Sequence, residues 1–454
     1  MIPVSNKVSI LHLTPHLGGG VGSVLLNYVK EELHNDIFEH NIECLDAISI
    51  DTLRFVKSNQ LKVNGLAYQN ISILIKKIAD ADILLIHWWN HPLLYDFIIR
   101  NELPPTRLIM WSHVSGFNTP NTFNSRLLAY PDKFIFTTPL SFETKEVRNC
   151  SDILKKNFRT IWSTSGVDHI SAEHEKIKKG FKVGYIGTLD YAKLHPDFLK
   201  MCKKINIPSV KFIVCGDINA DLVEEAASLG LSEKVEFKGN VSNVNDFLRT
   251  FDVFGYPLAS YHYGTCDQVL AESMAAGVVP VVLSNPMEKN MVKDGETGIV
   301  VDSQGSYISA IEKLYKDDKL RNSLSDRASV YAKERFSLKE LTHKWKVEIL
   351  EILEIDKTEK CWSNESDRQE ISSVDVFLES LGDYKDLFCN HLNAKSDEES
   401  LQAAEKIKSL GEYPFWRTRT KGTVHQYSCF FQDDKRLKEW SMLIDSYKPS
   451  LNLN

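Results

Sequence analysis

The run GTCDQVLAESMAAGVVPVVLS, residues 264–284, holds the strongest pattern for chemistry in the chain. Thr265 and Gln268 have the spacing of a capping box, Asp267 puts an acid in a first turn, and Gly277 suits a helix C-terminus. The pattern predicts a helix from Cys266 to Ala276 followed by a strand. The first free N–H groups of such a helix bind phosphate well, although the same pattern also describes an ordinary capped helix packed on a sheet. A second run, VGYIGTLDYAKLHPDFL, places Lys193 just after a strand and a glycine turn, where an ammonium can neutralise a departing anion. Alone, it also reads as a solvated loop lysine.

Near the N-terminus, HLTPHLGGGVGSVLLNYV puts Gly18, Gly19, Gly20 and Gly22 between a strand and a helix, where the backbone can approach a ligand closely. The spacing is not that of a dinucleotide motif, and a plain tight turn is the alternative. His87 in ILLIHWWNH and His113 in LIMWSHVSG fall at the ends of expected parallel strands, the edge where open α/β sheets bind ligands. Asp80-Ala-Asp82 precedes its strand and lies at the opposite edge, so it is not read as a metal site. Peptidase, esterase and phosphate-loop signatures are missing.

These residues require a frame of buried strands. Short apolar runs alternate with helical patterns over the first 350 or so residues, the signature of βαβ units and a parallel sheet. One series comprises Val8–Leu13, Ile42–Leu45, Ile83–His87, Leu108–Trp111 and Phe134–Thr137. The other comprises Lys182–Ile186, Phe212–Cys215, Val235–Phe237, Val253–Tyr256, Val279–Leu283 and Gly298–Val301. The segment from Trp162 to Gly180 reads as a linker, with a boundary near Val167. Amphipathic helices follow from Tyr307 to Ile355, broken at Phe336-Ser337, then a polar acidic connection from Asp356 to Ser373. The last segment is mainly helical, and its Trp416-Arg417-x-Arg419-x-Lys421 cluster could meet a phosphate or serve only as a packed extension with a basic turn.

A chain of 454 residues suggests two or three compact units. Its net charge of −7 supplies no global basic field for nucleic acid. The eight cysteines never form a Cys-x-x-Cys pair and read as reduced, mostly core residues. With neither a signal peptide nor an apolar run of membrane-spanning length, the chain is expected in the cytoplasm, with peripheral contact at the inner membrane surface left open.

QVLAESMAAGVVPVV followed by MVKDGETGIVV resembles the donor-binding region of glycosyltransferase family 4, whose members are retaining enzymes of the GT-B fold. The resemblance covers about residues 8–355 and is strongest from 182 to 303. It implies an α/β architecture of two Rossmann-like domains facing across a cleft, residues 1–166 for the acceptor and 167–355 for the donor. Residues 356–454 would form a mainly helical extension of unknown role. The implied activity is transfer of a sugar, with retention, from a nucleotide diphosphate sugar to a hydroxyl of a glycan or lipid-linked saccharide in cell-surface polysaccharide synthesis. No metal and no cofactor beyond the donor is expected.

Glu272 matches the second glutamate of the family motif, which implies a hold on the nucleotide ribose, and Lys193 matches the lysine of its basic pair. Thr188 stands where the family has arginine, and Gly264 where it has the first glutamate, so the transferred sugar is left open. Asp267, Tyr263 or the backbone N–H groups of the Gly264-Thr265 turn could reach the sugar in place of that glutamate. The implied donor-binding set is Thr188, Lys193, Gly264, Thr265, Asp267, Val269 and Glu272. The implied catalytic set is His113, Lys193 and Glu272, with His16, Gly18, Gly19, Gly20 and His87 on the acceptor side. Two other readings stay open: an epimerase or phosphorylase on the same pair of domains, and a non-catalytic nucleotide-sugar-binding partner.

Overall fold

The structure, a computed structural model, describes residues 7–172, 180–241, 243–262, 264–362 and 371–448. Tyr263 and parts of the two expected connections, 173–179 and 363–370, lie outside the described residues. The chain forms two compact units, residues 1–163 with 342–454, and residues 164–341. The C-terminal segment therefore belongs to the unit built by the N-terminal one.

The first unit is organised on a seven-stranded sheet of β1 (Val8–Thr14), β2 (Phe38–Cys44), β3 (Val63–Asn64), β4 (Ile83–Trp88), β5 (Leu108–Ser112), β6 (Lys133–Phe136) and β7 (Phe158–Thr160). All neighbours pair in parallel, in the order β7-β6-β5-β4-β1-β2-β3. Every residue of β4 and β5 is buried, which explains their unbroken apolar character. Helix α1 (Gly19–Glu31) follows β1. Gly22 in its first turns is sterically required, because a Cβ there would lie 2.0 Å from the Leu17 carbonyl oxygen.

The second unit repeats this plan with β8 (Lys182–Ile186), β9 (Lys211–Cys215), β10 (Val235–Gly239), β11 (Val253–Tyr256), β12 (Val279–Leu283) and β13 (Ile299–Val301). Its order is β10-β9-β8-β11-β12-β13, again all parallel. Both sheets thus reverse direction between their first and fourth strands, which is where doubly wound folds open a crevice at the strand carboxyl ends. Helix α2 (Gln268–Ala275) leads into β12 through Gly277, whose φ of +74° ends the helix in the left-handed conformation. Helix α3 (Asp318–Arg335) ends at Phe336, and α4 (Leu338–Ile352) starts after the expected break.

Helices α5 (Ser373–Ser380), α6 (Lys385–Leu392), α7 (Asp397–Ser409), α8 (Val424–Phe430) and α9 (Lys435–Asp445) complete the first unit. Buried Asn90 ties them down. It accepts a hydrogen bond from the Tyr427 hydroxyl at 3.0 Å and donates to Ser380 Oγ at 3.4 Å. Within the basic cluster, Trp416 is buried and Arg417 donates to the Tyr447 carbonyl. Among the described residues, no helix is long and apolar enough to cross a membrane.

Candidate functional site

At the reversal point of the second sheet, the loops after β8 and β11 bring Lys193 against the start of α2. Its Nζ lies 2.8 Å from Asp267 Oδ1, and both side chains are about a tenth exposed. The ammonium also sits 5.6 Å from the centroid of the Tyr256 ring. Burial works to raise the Asp267 pKa, but the Lys193 and His262 charges outweigh it and hold the carboxylate below its ordinary value. Buried His262 lies 3.2 Å from Glu288 through Nε2 and accepts the Gly264 N–H at Nδ1. That second bond requires the neutral ring. Burial opposes the cation, yet the Glu288 carboxylate raises the ring's pKa above its ordinary value, so acid would break the Gly264 contact.

His262, Asp267 and Glu288 could offer a metal three ligand atoms within 4.8 Å of one another. Within that group, Lys193 Nζ contacts Asp267 Oδ1. Sequence reasoning passed over His262, Glu288 and Tyr256, since their partners lie far away along the chain.

The expected capping box does not form. Asp267, not Thr265, is the N-cap of α2, and neither side chain caps it, because the Asp267 carboxylate is committed to Lys193. Gln268 is instead a tie between segments. Its Oε1 accepts from the Ser165 N–H and the Thr164 hydroxyl, and its Nε2 donates to the Gly166 carbonyl and, at 2.9 Å, to Glu272 Oε1. Glu272 itself is buried, and that burial pushes its pKa up to about 7, with the Gln268 contact pulling weakly the other way. Val269 lies in the first turn of α2, and the Thr188 carbonyl accepts a hydrogen bond from the Tyr185 hydroxyl. Gly264 has no room for a side chain: a Cβ would stand 2.9 Å from His262 Nδ1 and 3.0 Å from Asp267 Oδ2. The missing first glutamate is thus part of the local packing.

Family and fold comparisons bear on this geometry. The model of the glycosyl transferases group 1 family matches residues 167–330, the stretch that contains β8, Lys193, Asp267 and Glu272. The chain is a glycosyltransferase, and residues 167–330 carry its group 1 region. Among curated relatives, this glycosyltransferase is 22% identical over 315 residues to a Campylobacter jejuni N-acetylgalactosaminyltransferase acting on a diphospho-undecaprenol saccharide, covering 65% of this chain and 81% of that protein. It is 27% identical over 139 residues to the Bacillus subtilis putative glycosyltransferase EpsF, covering 29% of this chain but only 35% of EpsF. Anabaena HepE, solved with UDP and glucose, shares the fold with a TM-score of 0.61 at 15% identity, covering 76% of this chain and all of HepE. TarM shares it with a TM-score of 0.61 at 12% identity, over 78% of this chain and all of TarM.

In the first unit of the glycosyltransferase, His113 follows β5 at the carboxyl edge of the sheet and is buried. His87 is fully buried beneath it, with its Nδ1 3.0 Å from His113 and its Nε2 3.0 Å from His12. Both of its nitrogens are therefore engaged, and direct contact with an acceptor, expected for a strand-end histidine, is closed to it. His16 stands apart, packed edge-on against Trp89 at 5.2 Å and accepting the Gly18 N–H. Gly18, Gly19 and Gly20 are exposed, and a side chain at Gly19 or Gly20 would meet no atom within 4 Å. Asp82, rejected above as a metal ligand, accepts the Ser9 N–H at the opposite edge of the sheet.

Proposed function

We propose that this glycosyltransferase transfers a sugar from a UDP-sugar to a hydroxyl of a glycan or lipid-linked saccharide, with retention of configuration. The observation that carries the reading is the convergence of Lys193, the N-terminus of α2 and Glu272 at the reversal point of the second sheet, inside the stretch matched by the family model. In this reading Lys193 and the first turn of α2, from Gly264 and Thr265 to Val269, stabilise the diphosphate leaving group. Glu272 accepts hydrogen bonds from the ribose hydroxyls, and Thr188 lines the donor. His113 serves the acceptor or transferred-sugar side through the Ser163 hydroxyl that its Nδ1 contacts, with His16 and the Gly18–Gly20 turn on the acceptor side. The choice of uridine rests on HepE, which was solved with UDP, and that of a lipid-linked acceptor on the C. jejuni relative.

A binding-only role is favoured by two features: Gly264 in place of the first motif glutamate, and a Lys193 charge already matched by Asp267. Incubation with a panel of UDP-sugars, including UDP-glucose and UDP-N-acetylgalactosamine, separates the readings. Acceptor-stimulated UDP release is the expected result. Tight UDP-sugar binding with no release under any condition would leave the binding-only role.

A further inference from the structure

Four imidazoles form one continuous hydrogen-bonded chain across the first sheet. His40 Nδ1 lies 2.8 Å from His12 Nε2, His12 Nδ1 3.0 Å from His87 Nε2, His87 Nδ1 3.0 Å from His113 Nε2, and His113 Nδ1 2.8 Å from Ser163 Oγ. Strand register produces the alignment. Opposite His40 stands Ile10, opposite His12 stands Leu85, and opposite His87 stands Trp111. Each histidine is thus two residues further along its strand than the partner of the previous one, which keeps all four on one face in a diagonal that climbs to the carboxyl edge. The rings stack or tilt at centroid distances of 5.1 to 5.3 Å.

The two ends of this chain differ. At the carboxyl edge it ends on His113 and Ser163. At the other end, His40 Nε2 is buried without a hydrogen-bond partner among the described residues, and His40 lines a surface pocket of about 360 Å³ together with Glu32, Glu39 and Lys62. Burial holds every member neutral: His12 and His87 well below the ordinary imidazole value, His40 at about 4 and His113 at about 3. A neutral chain with all these contacts satisfied has only two arrangements, every ring protonated on Nε2 or every ring protonated on Nδ1.

We propose that this ladder is a reversible one-proton relay, by which His113 accepts a proton released at the carboxyl edge while another leaves from His40 into the surface pocket. The balance is simple. In the Nε2-protonated arrangement, Ser163 gives its hydroxyl proton to His113 Nδ1 and regains one from the reacting hydroxyl. His113 passes its Nε2 proton to His87 Nδ1, His87 to His12, and His12 to His40, whose Nε2 proton departs. Four N–H bonds break and four form, every ring ends neutral, and one proton passed inward resets the chain. A single buried histidine would have to become an imidazolium in an apolar core, which is costly. The ladder avoids that charge. His40, His12 and His87 act through His113 and are positioning residues. The inference rests on the placement of His113 at the site of transfer.

The test uses the full chain and UDP release from a UDP-sugar of the panel above. His40→Ala should lower kcat by about 100-fold with KM for the donor unchanged, the lower end of what proton transfer contributes. Added imidazole should restore turnover, because it can accept and donate together. 1-Methylimidazole, of similar size and basicity but without an N–H, should not. Equal rescue by both, rescue by neither, or wild-type kcat in the variant overturns the relay. If His113→Ala is inactive while His40→Ala is not, the assignment of His113 stands and the relay falls. A wild-type chain that turns over no UDP-sugar counts against the proposed function instead. The relay is then decided by ¹⁵N shifts of the ring nitrogens: one shared tautomer is required, and a mixed set rejects it.

Discussion

The two sheets of this glycosyltransferase share one strand order, yet the polar groups they carry near the reversal point are handled in opposite ways. In the second unit, buried groups are matched pairwise, Lys193 with Asp267 by charge and His262 with Glu288 by a hydrogen bond. In the first, four buried histidines are held neutral and matched in series. A paired charge fixes a position and resists change, since losing either partner strands the other in a poor solvent. A neutral series can reverse its polarity without moving charge into the core. The fold thus offers rigid electrostatics on the side read as donor-binding and adjustable protonation on the side read as acceptor-binding.

Breaking one charged pair should have the largest effect. Lys193→Met leaves the Asp267 carboxylate buried without its ammonium and should destabilise the second unit by about 3–5 kcal/mol. The double variant Lys193→Met with Asp267→Leu should recover most of that loss in thermal melts, and a single variant that melts like the wild type would show the pair to be unimportant. Next comes Glu272, an acid buried without a cation. Its native pKa of about 7 lies above the unfolded value, so the folded state binds the proton more tightly and stability falls as pH rises from about 4.5 to 7. Glu272→Gln should therefore raise stability by up to about 3 kcal/mol at pH 8 and leave it nearly unchanged at pH 4.5. Melts at the two pH values check the sign.

Smaller effects test the packing on each side. Gly264→Ala pushes a Cβ into His262 and Asp267 and should cost about 2 kcal/mol, with no gain in turnover from Gly264→Glu despite the restored motif. In the neutral region, Ser163→Ala removes one uncharged hydrogen bond and should cost only about 1 kcal/mol by denaturant titration. A larger loss there than at Lys193 would invert the comparison.

Much of this frame was legible in the sequence because parallel strands buried on both faces leave continuous apolar runs, as in ILLIHW, and because Gly277 marks a left-handed helix end by its type. The donor cluster was legible only in part. Lys193 and Asp267 stand 74 residues apart, so nothing local revealed that the acid would pair with the lysine and leave the start of α2 uncapped. The histidine ladder was invisible for a further reason. His87 and His113 each look like isolated strand-end residues, and only the register between strands shows that His40 and His12 extend them. The C-terminal helices join the first unit through contacts such as Tyr427 with Asn90, across 337 residues, which no local pattern encodes.

The central claim, a UDP-sugar site on the second unit held by Glu272, is tested most directly by calorimetric titration of UDP into the wild type and Glu272→Ala at pH 8, where the carboxylate is ionised. The wild type should bind, and the variant should bind roughly 10- to 100-fold more weakly, the worth of hydrogen bonds to a charged group. Equal affinity in the two proteins, or no binding of UDP by the wild type, would contradict it.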